Sequence, residues 1–196
     1  ILIYRNKRMK SIKSLKNIII IGSPKLLKEI CEQTKNLNFK FYLISSPDQI
    51  NDVRIKNNFD KIVLSKLNNK KIISFFKKNN IKSTNSIFIS YSSRFIFKDE
   101  HIKKVFFNNL FNIHCSRLPY DQGGGGVSWR IMQNDRIGNL CIHKIEDSKI
   151  DKGKIYKYES YVINKKLITP KEIINDIEKR LPVFVLDFLK EIRSKN

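Results

Sequence analysis

The sequence predicts an α/β fold, with a largely parallel sheet that has helices on both faces and an antiparallel C-terminal portion. Short apolar runs alternate with segments of helical periodicity, a pattern typical of right-handed βαβ crossovers. The isoleucines at 18–21 form one uninterrupted apolar run, as expected for a strand buried on both faces. After Gly138, two strand-like segments follow one another without a helical segment between them, which favours antiparallel pairing.

The first strands and helices follow in order along the chain. The run that Gly22 closes is followed by Ser23 and Pro24, which supply an N-cap and a first-turn proline for a helix. The apolar face of that helix carries residues 26, 27, 30 and 31. Two more helical faces are marked by apolar residues at 72, 73 and 76 and at 102, 105 and 106. Further strands are predicted at residues 39–44, 61–64, 87–89 and 110–114.

The C-terminal part departs from this alternation. Residues 140–145 and 155–163 are strand-like, and the loop between them carries Asp151. A final helix begins after Thr169-Pro170, and Pro182 should kink it or restart it. The sequence shows no repeat and no linker. We therefore expect one domain over residues 17–196, preceded by a basic flexible tail over residues 1–16 in which Met9 is a candidate initiator.

The composition limits the class of function. A chain of 196 residues is long enough for one well-buried domain and short for two. Its formal net charge of +21 leaves three interpretations open, namely compositional drift toward lysine, a polyanionic substrate and nucleic-acid binding. The lysines are spread along the chain, which favours drift.

The cysteines and the apolar runs indicate the compartment. Cys31, Cys115 and Cys141 lack the spacing of a metal site or a redox pair, so we expect no metal and a reduced, cytoplasmic chain. No apolar run approaches the roughly 18 residues of a membrane span, and the run at 18–21 is too short for the core of a signal peptide. We therefore expect no membrane partner.

Asn112 and His114 are the most informative pair in the chain. They lie two positions apart at the end of a predicted strand, so their side chains point to the same side. Asp151 is available from a later loop to orient the imidazole. An amide donor, a titratable ring and a carboxylate are the groups needed to stabilise a developing oxyanion and to move a proton. The pattern therefore predicts an active site.

These residues resemble the folate-dependent formyltransferase superfamily, which includes methionyl-tRNA formyltransferase, glycinamide ribonucleotide transformylase and the nucleotide-sugar N-formyltransferases. The resemblance covers residues 85–165 best and is carried by Asn112, His114, Ser116, Leu118, Pro119, Gly123, Gly138, Asp151 and Gly153. It implies a Rossmann-like formyltransferase fold. It also implies transfer of a formyl group from 10-formyltetrahydrofolate to a primary amine. In that reaction Asp151 would either fix the tautomer of His114 or hold a water that relays the proton.

The resemblance also implies which residues contact the folate. They belong to the loop after the fourth strand, to the segment after His114 and to the start of the Asp151 loop. The predicted cofactor-binding residues are Tyr91, Ser92, Arg94, Phe95, Ile96, Ser116, Leu118, Pro119, Ile145 and Asp147. His101 and His143 have no such context, and we assign both to structure. The glycines at 123–126 do not form a Walker loop, and they predict a flexible or closely approached backbone near the acceptor.

The sequence defines the acceptor less well than the donor. We prefer a small nucleotide-linked amino sugar, on which Trp129 or the tyrosines at 156, 158 and 161 could stack. A tRNA acceptor is disfavoured, because we expect no further domain after Asn196. The remaining alternatives are glycinamide ribonucleotide, water as in a formyltetrahydrofolate hydrolase, and a non-catalytic homologue that binds folate, nucleotide or RNA. A homodimer is compatible with the sequence.

Overall fold

The computed structural model describes residues 14–34, 37–51 and 59–194. Most of the tail predicted over residues 1–16 lies outside the described residues. The strands are β1 Asn17–Gly22, β2 Lys40–Ser45, β3 Asp60–Val63, β4 Ser86–Tyr91, β5 Leu110–His114, β6 Ile137–Lys144 and β7 Ile155–Val162. The helices are α1 Pro24–Gln33, α2 Pro47–Asn51, α3 Asn69–Lys78, α4 Gly126–Met132 and α5 Pro170–Ser194, and His101–Val105 forms one π-helical turn.

Across the described residues, seven strands form one sheet in the order β3-β2-β1-β4-β5-β6-β7. The strands from β3 to β5 are parallel, whereas β6 pairs antiparallel with both β5 and β7. This arrangement confirms the predicted α/β fold with its antiparallel C-terminal portion. The polarity of the sheet changes between β5 and β6, and an open α/β sheet binds its ligands beyond the carboxyl ends of its parallel strands.

The core lies on both faces of the sheet. On one face, Ile18 and Ile20 of β1 pack with the buried residues of α1 and α5. On the other face, Ile19 and Ile21 pack with α3 and the π-helical turn. The continuous isoleucine run is therefore explained, because alternate side chains of β1 enter two different layers.

Local sequence features set the ends of the helices. The side chain of Ser23 accepts a hydrogen bond from the Leu26 backbone N–H, and Pro24 occupies the first turn of α1, as predicted. The expected restart at Pro182 is wrong, because α5 continues through this residue. Leu181, Phe184 and Val185 around the proline are fully or almost fully buried, so packing outweighs the loss of one helical hydrogen bond. In the described part of the chain, no helix combines the length and the apolar character needed to cross a membrane.

Candidate active site

The carboxyl end of β5 orients the predicted amide and imidazole. Phe111 and Ile113 enter the core layer of α1 and α5, so the alternate residues Asn112 and His114 face the opposite layer. β6 runs antiparallel beside β5, and this pairing sets His143 directly across from Asn112. The strand end thus presents one amide and two imidazoles within one small region.

The loop after β6 brings Asp151 to the same place. Asp151 adopts a left-handed backbone conformation with φ of 53°, which is uncommon for a residue other than glycine. Both of its carboxylate oxygens are engaged. The Gly123 backbone N–H donates to Oδ2 at 2.9 Å, and the Asn112 side-chain Nδ2 donates to Oδ1 at 3.4 Å. The loop therefore ties the glycine segment to the end of β5 through one carboxylate.

Gly153 controls the approach of this loop to β6. A Cβ at this position would overlap the carbonyl oxygen of Lys144. We expect Gly153→Ala to lower the free energy of unfolding by about 1–3 kcal/mol, because backbone atoms must move to relieve the overlap. Urea denaturation measures this loss. The matched control is Gly124→Ala, since a Cβ at Gly124 meets nothing within 4 Å. Equal stability of the two variants would contradict the close approach at Gly153.

Two imidazoles flank the Asp151 carboxylate. His114 Nδ1 lies 3.5 Å from Oδ2, and His143 Nε2 lies 3.2 Å from Oδ1. The side chains of His114, His143 and Asp151 are 14%, 3% and 8% exposed, so these groups interact largely out of water. Burial alone would raise the pKa of Asp151. The hydrogen bond from His143, the Gly123 N–H and the charges of both rings outweigh burial and lower the pKa of the carboxyl.

Fixed acceptors restrict the positions of the ring protons. His114 Nε2 lies 2.9 Å from the backbone carbonyl of Asp121, which can only accept, so this hydrogen bond requires a proton on Nε2. Nδ1 then remains beside the carboxylate, and a proton gained there is donated toward Asp151. His114 Nδ1 is consequently the ring atom at which protonation changes the charge of the site.

His143 belongs to this group of side chains, although sequence reasoning assigned it to structure. Its Nε2 lies 3.2 Å from the Asn112 side-chain Nδ2, as well as near Asp151. Its Nδ1 lies 3.3 Å from the Lys144 carbonyl, an acceptor that favours a proton on Nδ1. In the neutral ring Nε2 then accepts from Asn112, and in the charged ring it donates to Asp151. In the sequence, His143 is a polar residue on β6, the strand that returns beside β5. The antiparallel register of these two strands sets it across from Asn112.

We expect His143→Leu to raise the pKa of Asp151, because the hydrogen bond from His143 is the strongest of the contacts that lower it. A hydrogen bond to a charged group contributes about 1.5–3 kcal/mol, so we expect turnover to fall about tenfold or more. Carbon NMR of the Asp151 carboxyl and the acid limb of the pH–rate profile measure the change. His101→Leu is the matched control, since it removes a second buried histidine that lies outside this site. An unchanged acid limb in His143→Leu would contradict the positioning role.

A cavity of about 430 Å³ opens in front of these side chains, and we call it the strand-end cavity. Its volume lies within the range of about 300–1,000 Å³ that small-molecule sites occupy. Phe95, Ile96 and Phe97 form an apolar wall, and the segment from His143 to Asp151 lies opposite. An apolar wall facing backbone and polar groups suits a planar heteroaromatic ring such as a pteridine.

The predicted folate-binding residues divide into two groups. Ser92, Phe95, Ile96, Ile145 and Asp147 line the strand-end cavity. Tyr91, Arg94, Ser116, Leu118 and Pro119 do not line it. Among these, the Arg94 side chain is 70% exposed and pairs with Asp48 at 3.1 Å, and Ser116 donates to the Asp121 carbonyl at 2.6 Å. Their role in folate binding stays a prediction.

The described residues were compared with the ligand sets that metal ions need. Within residues 14–34, 37–51 and 59–194, no group of three or more His, Cys, Asp or Glu side chains could hold an ion. The three cysteines are free thiols, and burial raises the pKa of each to about 12. The strand-end side chains are thus suited to proton transfer and hydrogen bonding.

Comparison with known proteins identifies proteins of similar sequence and similar fold. No protein-family model matches the sequence. The chain is 28% identical over 193 residues to methionyl-tRNA formyltransferase of Mycoplasma genitalium. That alignment covers 91% of this chain and 59% of the relative, so the chain spans less than two thirds of the relative's length.

Two solved structures share the fold. Phosphoribosylglycinamide formyltransferase of Bacillus halodurans superimposes with a TM-score of 0.73 at 17% identity, covering 92% of this chain and 96% of the other. The sugar 3N-formyltransferase WlaRD, solved in the presence of dTDP and 5-N-formyl-tetrahydrofolate, gives a TM-score of 0.60 at 22% identity. Its alignment covers 91% of this chain and 63% of that chain. With the sequence similarity to the Mycoplasma relative, these findings show that the chain has the fold of the formyltransferases and is similar in sequence to one of them.

Proposed function

We propose that this protein transfers a formyl group from 10-formyltetrahydrofolate to a primary amine. The observation that carries the proposal is the convergence of Asn112, His114 and Asp151 at the wall of the strand-end cavity. The cavity offers an apolar wall for the pteridine, and the three polar side chains supply the chemistry at its inner end.

Each of these residues has a distinct role in the proposed reaction. The neutral amine attacks the formyl carbon, and Asn112 turns one side-chain N–H from Asp151 or His143 to the formyl oxygen, where it stabilises the negative charge that develops. His114 Nδ1, the ring nitrogen that the Asp121 carbonyl leaves open, accepts the proton that the amine loses or, once protonated, donates to that oxygen. The bond from the formyl carbon to the folate nitrogen then breaks, and that nitrogen takes up a proton. Asp151 keeps both imidazoles oriented and stabilises their charged forms.

The first candidate for the acceptor is methionyl-tRNA. The relative with 28% identity is a methionyl-tRNA formyltransferase, and its alignment covers 91% of this chain. This similarity removes the reason for disfavouring tRNA on sequence grounds. The net charge of +21 agrees with a polyanionic acceptor, because lysine and arginine side chains bind phosphates by releasing counterions.

A nucleotide-linked amino sugar is the second candidate. The fold shared with the sugar 3N-formyltransferase WlaRD favours it, and that protein was solved with dTDP. Both candidates present a primary amine attached to a larger nucleoside-containing molecule. Glycinamide ribonucleotide, by contrast, carries a ribose phosphate without a base.

An acceptor panel tests the proposal. Consumption of 10-formyltetrahydrofolate is measured with methionyl-tRNA, with nucleotide-linked amino sugars, with glycinamide ribonucleotide and without any amine. We expect consumption that depends on one of the first two acceptors. Consumption without an amine would identify a hydrolase. An intact donor with every acceptor, together with tight salt-sensitive RNA binding, would overturn the enzyme proposal.

A further inference from the structure

A second cavity of about 180 Å³ adjoins the strand-end cavity, and we call it the α4 cavity. It lies between the glycine segment and α4, and Gly123 and Gly124 line both cavities. The Gly123 backbone N–H also donates to Asp151. A group held in the α4 cavity would therefore lie next to the catalytic carboxylate, on the side away from the apolar wall.

Trp129 borders the α4 cavity and is the only tryptophan in the sequence. Its side chain is 60% exposed, although tryptophan normally buries most of its large surface. The ring lies beside Gly125, since a Cβ at that position would lie 3.6 Å from the indole Cδ1, an ordinary van der Waals distance. The chain thus holds a flat aromatic surface against a glycine backbone while leaving much of it open to solvent.

The remaining side chains of the α4 cavity are polar or charged, and they include the buried Arg130. Gln122 and Gln133 each offer an amide with a donor and an acceptor. Asp121 and Asp135 offer carboxylates, and Arg117 lies 3.7 Å from an oxygen of each, which partly neutralises their charge. Amides, carboxylates and a guanidinium beside a flat ring recognise the donor and acceptor groups of a nucleoside.

We propose that the α4 cavity binds the nucleobase end of the acceptor, with the base stacked on Trp129. This inference rests on the proposed function, because it assigns the group to the molecule whose amine reacts. The base belongs either to the 3′-terminal adenosine of an aminoacyl-tRNA or to the nucleotide of a linked amino sugar. Gly123 and Gly124 line both cavities, and a Cβ at either position would meet nothing within 4 Å, so one acceptor molecule can span both.

Fluorescence of Trp129 tests the stacking without requiring catalysis. The wild-type protein is titrated with a cytidine-cytidine-adenosine trinucleotide, with UDP and dTDP, and with ribose 5-phosphate as a ligand that lacks a base. We expect saturable quenching by nucleobase-containing ligands and none by ribose 5-phosphate. Preference for the trinucleotide assigns the tRNA end, and preference for the pyrimidine diphosphates assigns the nucleotide-linked sugar. Absence of saturable quenching, or equal quenching by ribose 5-phosphate, would overturn the proposal.

Variants at Trp129 provide the second measurement. We expect Trp129→Leu to raise the KM for the acceptor about 5- to 150-fold, which corresponds to about 1–3 kcal/mol of stacking per base. Trp129→Phe should recover part of this loss, and the kcat should change little. The matched control is Met132→Leu, which changes an exposed apolar residue of α4 that does not line the cavity. An unchanged KM in Trp129→Leu would refute the subsite and leave the proposed formyl transfer standing. Quenching of Trp129 fluorescence by nucleobase-containing ligands, without formyl transfer to any acceptor, would refute only the proposed function.

Discussion

Replacing Asp151 with asparagine is expected to lower turnover in formyl transfer by about 10²–10⁴-fold, the range typical of a lost acid–base contribution. The carboxylate lies within 3.5 Å of polar atoms of His114, His143, Asn112 and the Gly123 backbone. Asparagine keeps the size of the side chain but removes the negative charge beside both imidazole rings. Single-turnover transfer with saturating donor and acceptor measures the effect on chemistry separately from binding.

The control for this variant is Asp187→Asn. Asp187 is exposed on α5 and pairs with Lys190 at 3.6 Å, so its charge is remote from the cavity. Both variants lose one negative charge, and only Asp151→Asn should lose activity. Retention of wild-type turnover by Asp151→Asn would show that the carboxylate takes no part in the reaction.

Asp151 also contributes to the free energy of unfolding, and this contribution depends on pH in the acid range. Because its pKa is lowered in the folded protein, its stabilisation is complete above the ordinary aspartate pKa of about 3.9 and is lost as the pH falls through the lower folded value. As the pH falls through this range, the free energy of unfolding should therefore decrease less in Asp151→Asn than in the wild type.

Replacing His114 with alanine is expected to reduce turnover by a similar factor of about 10²–10⁴. The ring is held by the Asp121 carbonyl at Nε2 and faces Asp151 at Nδ1, so its removal deletes both a hydrogen-bond donor and a site for the migrating proton. Single-turnover assays with added imidazole measure the loss, and partial recovery with imidazole is expected because the deletion leaves space for a free ring.

Binding of 5-formyltetrahydrofolate to His114→Ala shows whether lost turnover reflects the missing imidazole or a disturbed structure. The apolar wall formed by Phe95, Ile96 and Phe97 does not depend on His114, so affinity for the folate should change little. A large loss of folate binding would mean that His114 supports the cavity structurally. Unchanged turnover in His114→Ala would exclude the ring from proton transfer and from stabilisation of the oxyanion.

The fold could be predicted from the sequence because its determinants are local. The alternation of apolar runs and helical faces identified every strand of the observed sheet to within a few residues. Short elements escaped prediction. Helix α4 has seven residues and begins among glycines, and α2 has five residues, so both are too short to show a recurring apolar face. Of the two alternatives predicted for Pro182, the restart is wrong because the buried residues around it keep α5 continuous, and the kink stays a prediction.

The candidate site could be predicted only in part, because its completion depends on non-local register. Asn112 and His114 are two positions apart on one strand, and this spacing alone predicts their common direction. His143 enters the site through the antiparallel pairing of β5 with β6, which no local pattern specifies. Arg94 pairs with Asp48 in the structure, and its predicted contact with the folate stays a prediction.

Transfer of a labelled formyl group tests the proposed chemistry most directly. The purified wild-type protein and Asp151→Asn are each mixed with 10-formyltetrahydrofolate labelled in the formyl carbon and with the acceptor that the panel identifies. For the wild type we predict that the label appears on the amine nitrogen of the acceptor, in an amount equal to the tetrahydrofolate released, and that Asp151→Asn gives almost none. Recovery of the label as free formate, or equal transfer by both proteins, would contradict an amine formyltransferase that depends on the side chains at the end of β5.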